Sequence, residues 1–386
     1  MSKMSLNDCE LDTQLIHVGH KIDPVTRSMA NPIFQTATYG FDSVEEMDGA
    51  WEKLRYVYTR EGNPTEFSLE DKLAAIEGGE AALTMASGMG AVCSTILTLV
   101  NKGDHLICAE GLFSHSTTFF NELVKKLGVE VDFADFKDIE NVTQKIKPNT
   151  SIFYIETPAN PTLGVVDIEA ISRIAKSNNC LFIVDSTFAP PPIQQPLKWG
   201  ADLVIHSLTK YINGHGDALG GAVIGRKDLI EKIKWPGMPC FTGAALSPFN
   251  AWLIMRGMTT LEMRVQKHCS NALAIAEFLE TRDEVERVIY PALKSHPQHN
   301  LCEKQMNGMG GGIVSFWLKN GINGMTIKEA DYKFCDALGL ITIATSLGEA
   351  HTLIQVEHTD MIRVAVGLEN PKDLIKDLKQ ALESLK

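Results

Sequence analysis

Between Ala81 and Gly225, short runs rich in β-branched and aromatic residues alternate with segments of helical periodicity: Ala81 to Met85, His105 to Ala109, Val129 to Phe133, Ser151 to Glu156, Leu181 to Asp185, Asp202 to His206 and Ala222 to Ile224. Alternation of this kind specifies an α/β fold with a mostly parallel sheet covered on both faces, because parallel neighbours need a crossover and the crossover is a helix. One such helix is expected to be capped by Ser114, to carry Phe119, Phe120, Leu123 and Leu127, and to stop at Gly128.

The chain has 386 residues, more than a single core usually reaches, so a second unit and a cleft between the two are expected. After a helical stretch around Trp252 to His268 the pattern becomes Val285 to Tyr290, Gly312 to Leu318, Leu340 to Ser346 and Met361 to Val366, with helices between. This reads as a smaller α+β domain closed by a helix with Asn370 as N-cap, Pro371 at its first position, and Leu374, Ile375, Leu378, Leu382 and Leu385 on one face. Residues before about Gly62 show weaker periodicity and carry the run Tyr56, Val57, Tyr58, as an arm laid over another surface does. The division expected is an arm over 1–60, a cofactor domain over 61–260 and a C-terminal domain over 261–386.

A net charge of -12 repels phosphate backbones and anionic lipid heads, which argues against nucleic acid as a partner. There is no long apolar run for a membrane span. The eight cysteines form no C-x-x-C pair, Met1 to Glu10 has no apolar signal core, and a reducing cytoplasm is the expected compartment. His296 and His299 form a close His pair but Pro297 lies between them, so a zinc helix is set aside there.

The chemistry concentrates in three places. Ser207-Leu208-Thr209-Lys210 follows a strand run and precedes Gly214 and Gly216, which puts a lysine at a strand exit between hydroxyls. Such a lysine can form a Schiff base with a carbonyl cofactor, and the hydroxyls can bind an anion; taken alone the segment also reads as a surface turn. Asp185 ends the run Leu181 to Asp185, where a carboxylate can keep the ring nitrogen of pyridoxal phosphate protonated or cap a helix. Ser87-Gly88-Met89-Gly90-Ala91 opens a helix after a strand, where free amides and the helix dipole favour phosphate.

Together with Tyr58-Thr59-Arg60, Gly62 to Thr65, Glu156 to Thr162 and Arg363 to Glu369, these segments resemble the Cys/Met-metabolism family of pyridoxal-phosphate enzymes. That family includes methionine γ-lyase, nearest in motifs, cystathionine γ-lyase, cystathionine γ-synthase and the O-acylhomoserine sulfhydrylases. The resemblance implies a large α/β domain of the aspartate-aminotransferase type and pyridoxal 5'-phosphate as cofactor. It implies Lys210 as the cofactor lysine and proton shuttle, Asp185 at the ring nitrogen, Asn160 near the ring hydroxyl and Phe113 stacked on the ring. Gly88, Met89, Ser207 and Thr209 would hold the phosphate. Tyr58 and Arg60 would reach the phosphate of a neighbouring subunit, in a homodimer that pairs into a homotetramer. Arg363, with Ser346, would clamp the carboxylate of a small amino-acid substrate.

Departures from the family pattern bear on the reaction. Leu112-Phe113-Ser114-His115 stands where many members have Leu-Tyr-Gly, so stacking survives and a phenolic hydroxyl is lost. Thr352-Leu353-Ile354 is joined to Arg363 by only Gln355 to Ile362, in place of a longer segment that begins His-Pro-Ala-Ser-Met-Thr-His. Thr345 precedes Ser346 where cystathionine-handling members tend to have Glu. The reading is elimination on a sulfur amino acid of the methionine, homocysteine or cysteine type. Replacement, as in O-acylhomoserine sulfhydrylase or cystathionine γ-synthase, is the alternative, and a scaffold that retains the cofactor is a third.

Overall fold

The computed structural model describes residues 5–52, 56–357 and 360–386, which leaves seven residues of the arm and two of the short segment before Arg363 outside the described residues. The first half builds a seven-stranded sheet from β1 (Ala81–Met85), β2 (His105–Ala109), β3 (Glu130–Ala134), β4 (Thr150–Glu156), β5 (Leu181–Asp185), β6 (Leu203–Ser207) and β7 (Gly221–Gly225). Their order is β1-β7-β6-β5-β4-β2-β3. The neighbours from β6 to β3 are parallel, whereas β7 runs antiparallel to both β1 and β6. All five residues of β2 are buried, and because successive side chains point to opposite faces, both faces must be covered.

This topology brings the chemistry to one edge. Glu156 pairs with Asp185 across β4 and β5, and Asp185 with Ile205 of β6. Gly221 of β7 pairs with both Ser207 and Met85, so the turns after β6 and β1 flank it. The expected crossover helix is present with one difference: Phe113 occupies the cap position and Ser114 is the first helical residue. The helix then passes into a wider turn at Phe119–Val124.

The second sheet has the order β10-β11-β12-β9-β8, from β8 (Val285–Ile289), β9 (Ile313–Leu318), β10 (Thr342–Ile343), β11 (Leu353–Val356) and β12 (Ile362–Ala365). It is antiparallel except for β10 beside β11. Leu340 to Ser346 yields only a two-residue strand because the Asp377 carboxylate accepts the amides of Gly339 (2.8 Å), Leu340 (2.9 Å) and Ile341 (2.9 Å), which are then lost to the ladder. The closing helix Pro371–Glu383 starts as expected, with Asn370 accepting the Lys372 amide, and buries Leu374, Leu378 and Leu382 completely.

Part of the arm is anchored on its own chain. The helix Leu11–His17 buries Leu15 beside Leu69, Leu73 and Ile76, and the Lys72 ammonium donates to the Leu15 carbonyl at 2.6 Å. Burial pulls Lys72 down to about 8. Further on, the helix Val44–Glu52 buries none of its residues, and Val25, Met29 and Trp51 are exposed. Among the described residues no helix is long and apolar enough to cross a membrane.

Candidate active site

Lys210 lies just past β6, half-buried, and its ammonium donates to the Ser346 hydroxyl at 2.8 Å. Burial lowers its pKa, the positive charge of Arg363 pushes the same way, and Glu349 opposes. The shift is towards the neutral amine, the form that acts as nucleophile and base. Ser346 reaches this position through an unusual backbone, with φ at 87°, a region that costs a residue bearing Cβ about 1–3 kcal/mol.

Arg363 sits on β12 and is only 6% exposed. Its Nη1 donates to Asn160 Oδ1 at 3.2 Å; its Nη2 donates to Gln355 Oε1 at 3.1 Å and to the Ser346 carbonyl at 3.4 Å. Nε is buried with no hydrogen-bond partner among the described residues. A buried donor left over on a guanidinium is what a site for an external carboxylate requires. Lys210, Ser346, Asn160 and Arg363, expected from four separate segments, are thus brought together.

On the other side, Asp185 Oδ1 accepts the Thr187 hydroxyl at 2.6 Å and its amide at 3.0 Å. Thr187 in turn accepts the Ser207 amide at 2.9 Å, tying the end of β5 to the turn that carries Lys210. Glu156, opposite Asp185 in register, accepts the amides of Phe113 at 2.8 Å and Asn160 at 3.2 Å. Burial raises the pKa of both acids, and the charge of Asp185 adds to the rise at Glu156. Neither has an ion-pair partner on Lys or Arg among the described residues.

The phosphate cup follows from close packing of backbone. Ser87 caps the helix Gly88–Leu99 by accepting the Gly90 amide at 3.0 Å, and the first amides, those of Gly88 and Met89, lie outside the helical ladder. A methyl group on Gly88 would sit 2.8 Å from Ser207 Cβ, and one on Gly221 would sit 2.0 Å from the Ser87 carbonyl oxygen. Glycine is therefore what lets these turns meet. Thr209 is tied to the backbone of Gly220, donating at 3.3 Å and accepting at 3.1 Å. Met89 accepts a weak bond from Ser116 at 3.6 Å. Phe113 is 38% exposed, with the His115 ring edge-on at 4.9 Å. Tyr58 and Arg60 pair with each other, guanidinium over ring at 4.9 Å, and Arg60 also meets Glu61 at 3.3 Å.

Pyridoxal phosphate fits this donor set. Half-buried Asp185 has no Lys or Arg ion-pair partner among the described residues and suits a protonated ring nitrogen; the amides of Gly88 and Met89 and the Ser207 hydroxyl suit a phosphate; Lys210 suits the aldehyde. Thr187, Glu156 and Gln355 are contributors that the sequence reading did not assign. Thr187 and Glu156 were legible only as neighbours of strand ends, and Gln355 only through its register with Arg363.

Comparison with known proteins agrees with the geometry. A family model described as Cys/Met metabolism PLP-dependent enzyme matches residues 12–359. The chain is 43% identical over 407 aligned residues to the L-methionine gamma-lyase of Treponema denticola, covering all of both chains. It is 37% identical over 400 to the O-succinylhomoserine sulfhydrylase of Pseudomonas aeruginosa, covering 98% of this chain and 97% of that one. Among solved structures it superposes with a TM-score of 0.90 and 32% identity on metY of Campylobacter jejuni, described as an O-acetylhomoserine (thiol)-lyase with N'-pyridoxyl-lysine-5'-monophosphate, covering 97% of this chain and 100% of that one. Fold, strand-end residues and similarity along the whole length agree that this chain belongs to the Cys/Met metabolism family of PLP-dependent enzymes.

Proposed function

We propose that the chain is a carbon–sulfur lyase that converts a small sulfur amino acid of the methionine, homocysteine or cysteine type, with water, into an α-keto acid, ammonia and a thiol, or hydrogen sulfide where the substrate is itself a thiol. The observation that carries this reading is the convergence of Lys210 and Arg363 on Ser346, one on its hydroxyl and the other on its carbonyl. Bound pyridoxal phosphate supplies an electron sink for charge that develops at the substrate Cα. Arg363 holds the substrate carboxylate with a fork of two parallel bonds, which fixes Cα beside Lys210. Lys210, kept towards the neutral form, takes the Cα proton and, for γ-elimination, the Cβ proton as well. Phe113 offers a stacking face and no hydroxyl, which leaves that second proton to Lys210. Asp185, oriented by Thr187, holds the proton on the ring nitrogen.

Tyr58 and Arg60 serve the phosphate of a neighbouring subunit, so the active unit is a homodimer, which pairs into a homotetramer in the cytoplasm. The exposure of three large apolar side chains along the arm, Val25, Met29 and Trp51, supports a covering neighbour. The identity to the methionine γ-lyase supports elimination. The purified protein, supplied with methionine, homocysteine or cysteine and no added nucleophile, should release keto acid and ammonia continuously. Turnover only of O-acylhomoserine, and only with sulfide or a thiol present, would replace this reading with the sulfhydrylase one.

A further inference from the structure

β11 and β12 are antiparallel neighbours: Gln355 is in register with Arg363, and beyond the paired residues the Glu357 amide donates to the Met361 carbonyl at 2.7 Å. Side chains two apart on a strand share a face, so Gln355 and Glu357 both stand on the Arg363 side. Glu357 uses that position. Its Oε1 lies 3.4 Å from Arg363 Nη1 and accepts the Gln355 side-chain amide at 2.9 Å, with side-chain exposures of 18% for Glu357 and 7% for Arg363. The Arg363 guanidinium is therefore already paired with a carboxylate of its own chain, in a setting that screens the pair poorly.

We propose that Glu357 is a built-in competitor for the substrate carboxylate: an amino acid binds by displacing Glu357 from Arg363, and Glu357 thereby sets the affinity threshold of the site. This rests on the reading of Arg363 as the carboxylate clamp. A single positive charge stabilises one carboxylate well and a second poorly, so the incoming group and Glu357 exclude one another in part. Glu357 is also the more exposed of the two side chains, so it can move into water while Arg363 keeps its bonds to Asn160, Gln355 and Ser346. The cost of displacement falls on binding and so appears in KM.

The test is calorimetric titration of the holoenzyme with 4-(methylthio)butanoate, which carries the carboxylate and thioether of methionine but has no amino group to react. Glu357→Gln, similar in size and still able to accept from Gln355, should bind this probe about fivefold to tenfold more tightly than the parent, and KM for the amino-acid substrate should fall in step. Arg363→Ala should bind it at least about tenfold more weakly. Retention of the parent's cofactor absorbance and Tm establishes that each variant is folded. Weaker or unchanged binding by Glu357→Gln, with Arg363→Ala impaired, overturns the proposal and makes Glu357 a residue that positions Arg363. Unchanged binding by Arg363→Ala overturns the clamp reading itself and the proposal with it.

Discussion

The two sheets supply the site in different ways. The large sheet delivers side chains from strand exits: Asp185 ends β5, and Lys210 follows β6, each at the carboxyl end of a parallel strand. The small antiparallel sheet delivers them from within strands and hairpins, Arg363 from β12 and Gln355 from β11, set by register rather than by position at an end. Strand-exit residues can be placed by sequence order, because every parallel strand of such a sheet opens toward the same edge. Residues inside an antiparallel pair are placed only when the pairing is known, since a shift of one residue reverses their faces. On the proposed roles of Lys210 and Arg363, the division also separates tasks: proton transfer would lie with the large sheet and substrate binding with the small one.

The largest effect that tests this separation is on the large-sheet side. Lys210→Ala should lower kcat by on the order of 10³-fold or more, because the base is removed while Arg363, Asp185 and their hydrogen bonds remain. Borohydride reduction of the parent should leave the cofactor covalently on Lys210, and a peptide map that places it elsewhere would remove Lys210 from its role. Mixed with inactive Arg60→Ala protomers, Lys210→Ala protomers should recover part of the activity, since a mixed dimer holds one site with both residues native. Proven subunit exchange without recovery would return Arg60 to its own subunit's site.

On the small-sheet side the expected loss is smaller and of another kind. Arg363→Lys keeps the charge but presents a point instead of a fork, so KM should rise about tenfold to a hundredfold, equivalent to ~1.5–3 kcal/mol. Steady-state kinetics decide it: a fall in kcat as deep as that of Lys210→Ala, with KM unmoved, would end the division of tasks.

How much of this was legible in the sequence follows the same division. All seven strands of the large sheet were expected within a residue or two of their observed ends, because most are buried apolar runs bounded by turns. In the smaller sheet, β11 passed unnoticed, since Leu353–Val356 is too short to show a period, and Leu340 to Ser346 was read as a strand although Asp377 takes its first amides. The contact of Arg363 with Glu357 depends on the register of β11 with β12 and had no local signature. Ser114 looked like a cap by residue type, yet the bond of the Phe113 amide to Glu156, 43 positions away, accompanies a helix start one residue earlier than a Ser114 cap would give. Lys210 and Arg363 were singled out from their motifs; their convergence on Ser346 came from the tertiary fold.

The smallest effect lies where the two sheets are joined. Ser315 on β9 is fully buried, pairs in register with Arg363, and donates its hydroxyl to the Pro161 carbonyl at 2.9 Å. Pro161 follows Asn160, whose side-chain oxygen accepts from Arg363 at 3.2 Å, so the hydroxyl closes a circuit from β12 through β9 and the loop after β4 back to the guanidinium. Ser315→Ala opens the circuit without touching a reacting atom and leaves the Pro161 carbonyl without its partner, at a cost of ~1 kcal/mol. The Tm should fall by a few degrees at most, and KM should rise about twofold to fivefold through a looser Asn160 and Arg363. Ser315→Thr, which keeps the hydroxyl, should restore most of the KM if the pocket accepts the added methyl group. If Ser315→Ala lowers kcat instead and leaves KM alone, the loop after β4 serves the proton-transfer side, and the boundary between the two tasks must be redrawn at Asn160.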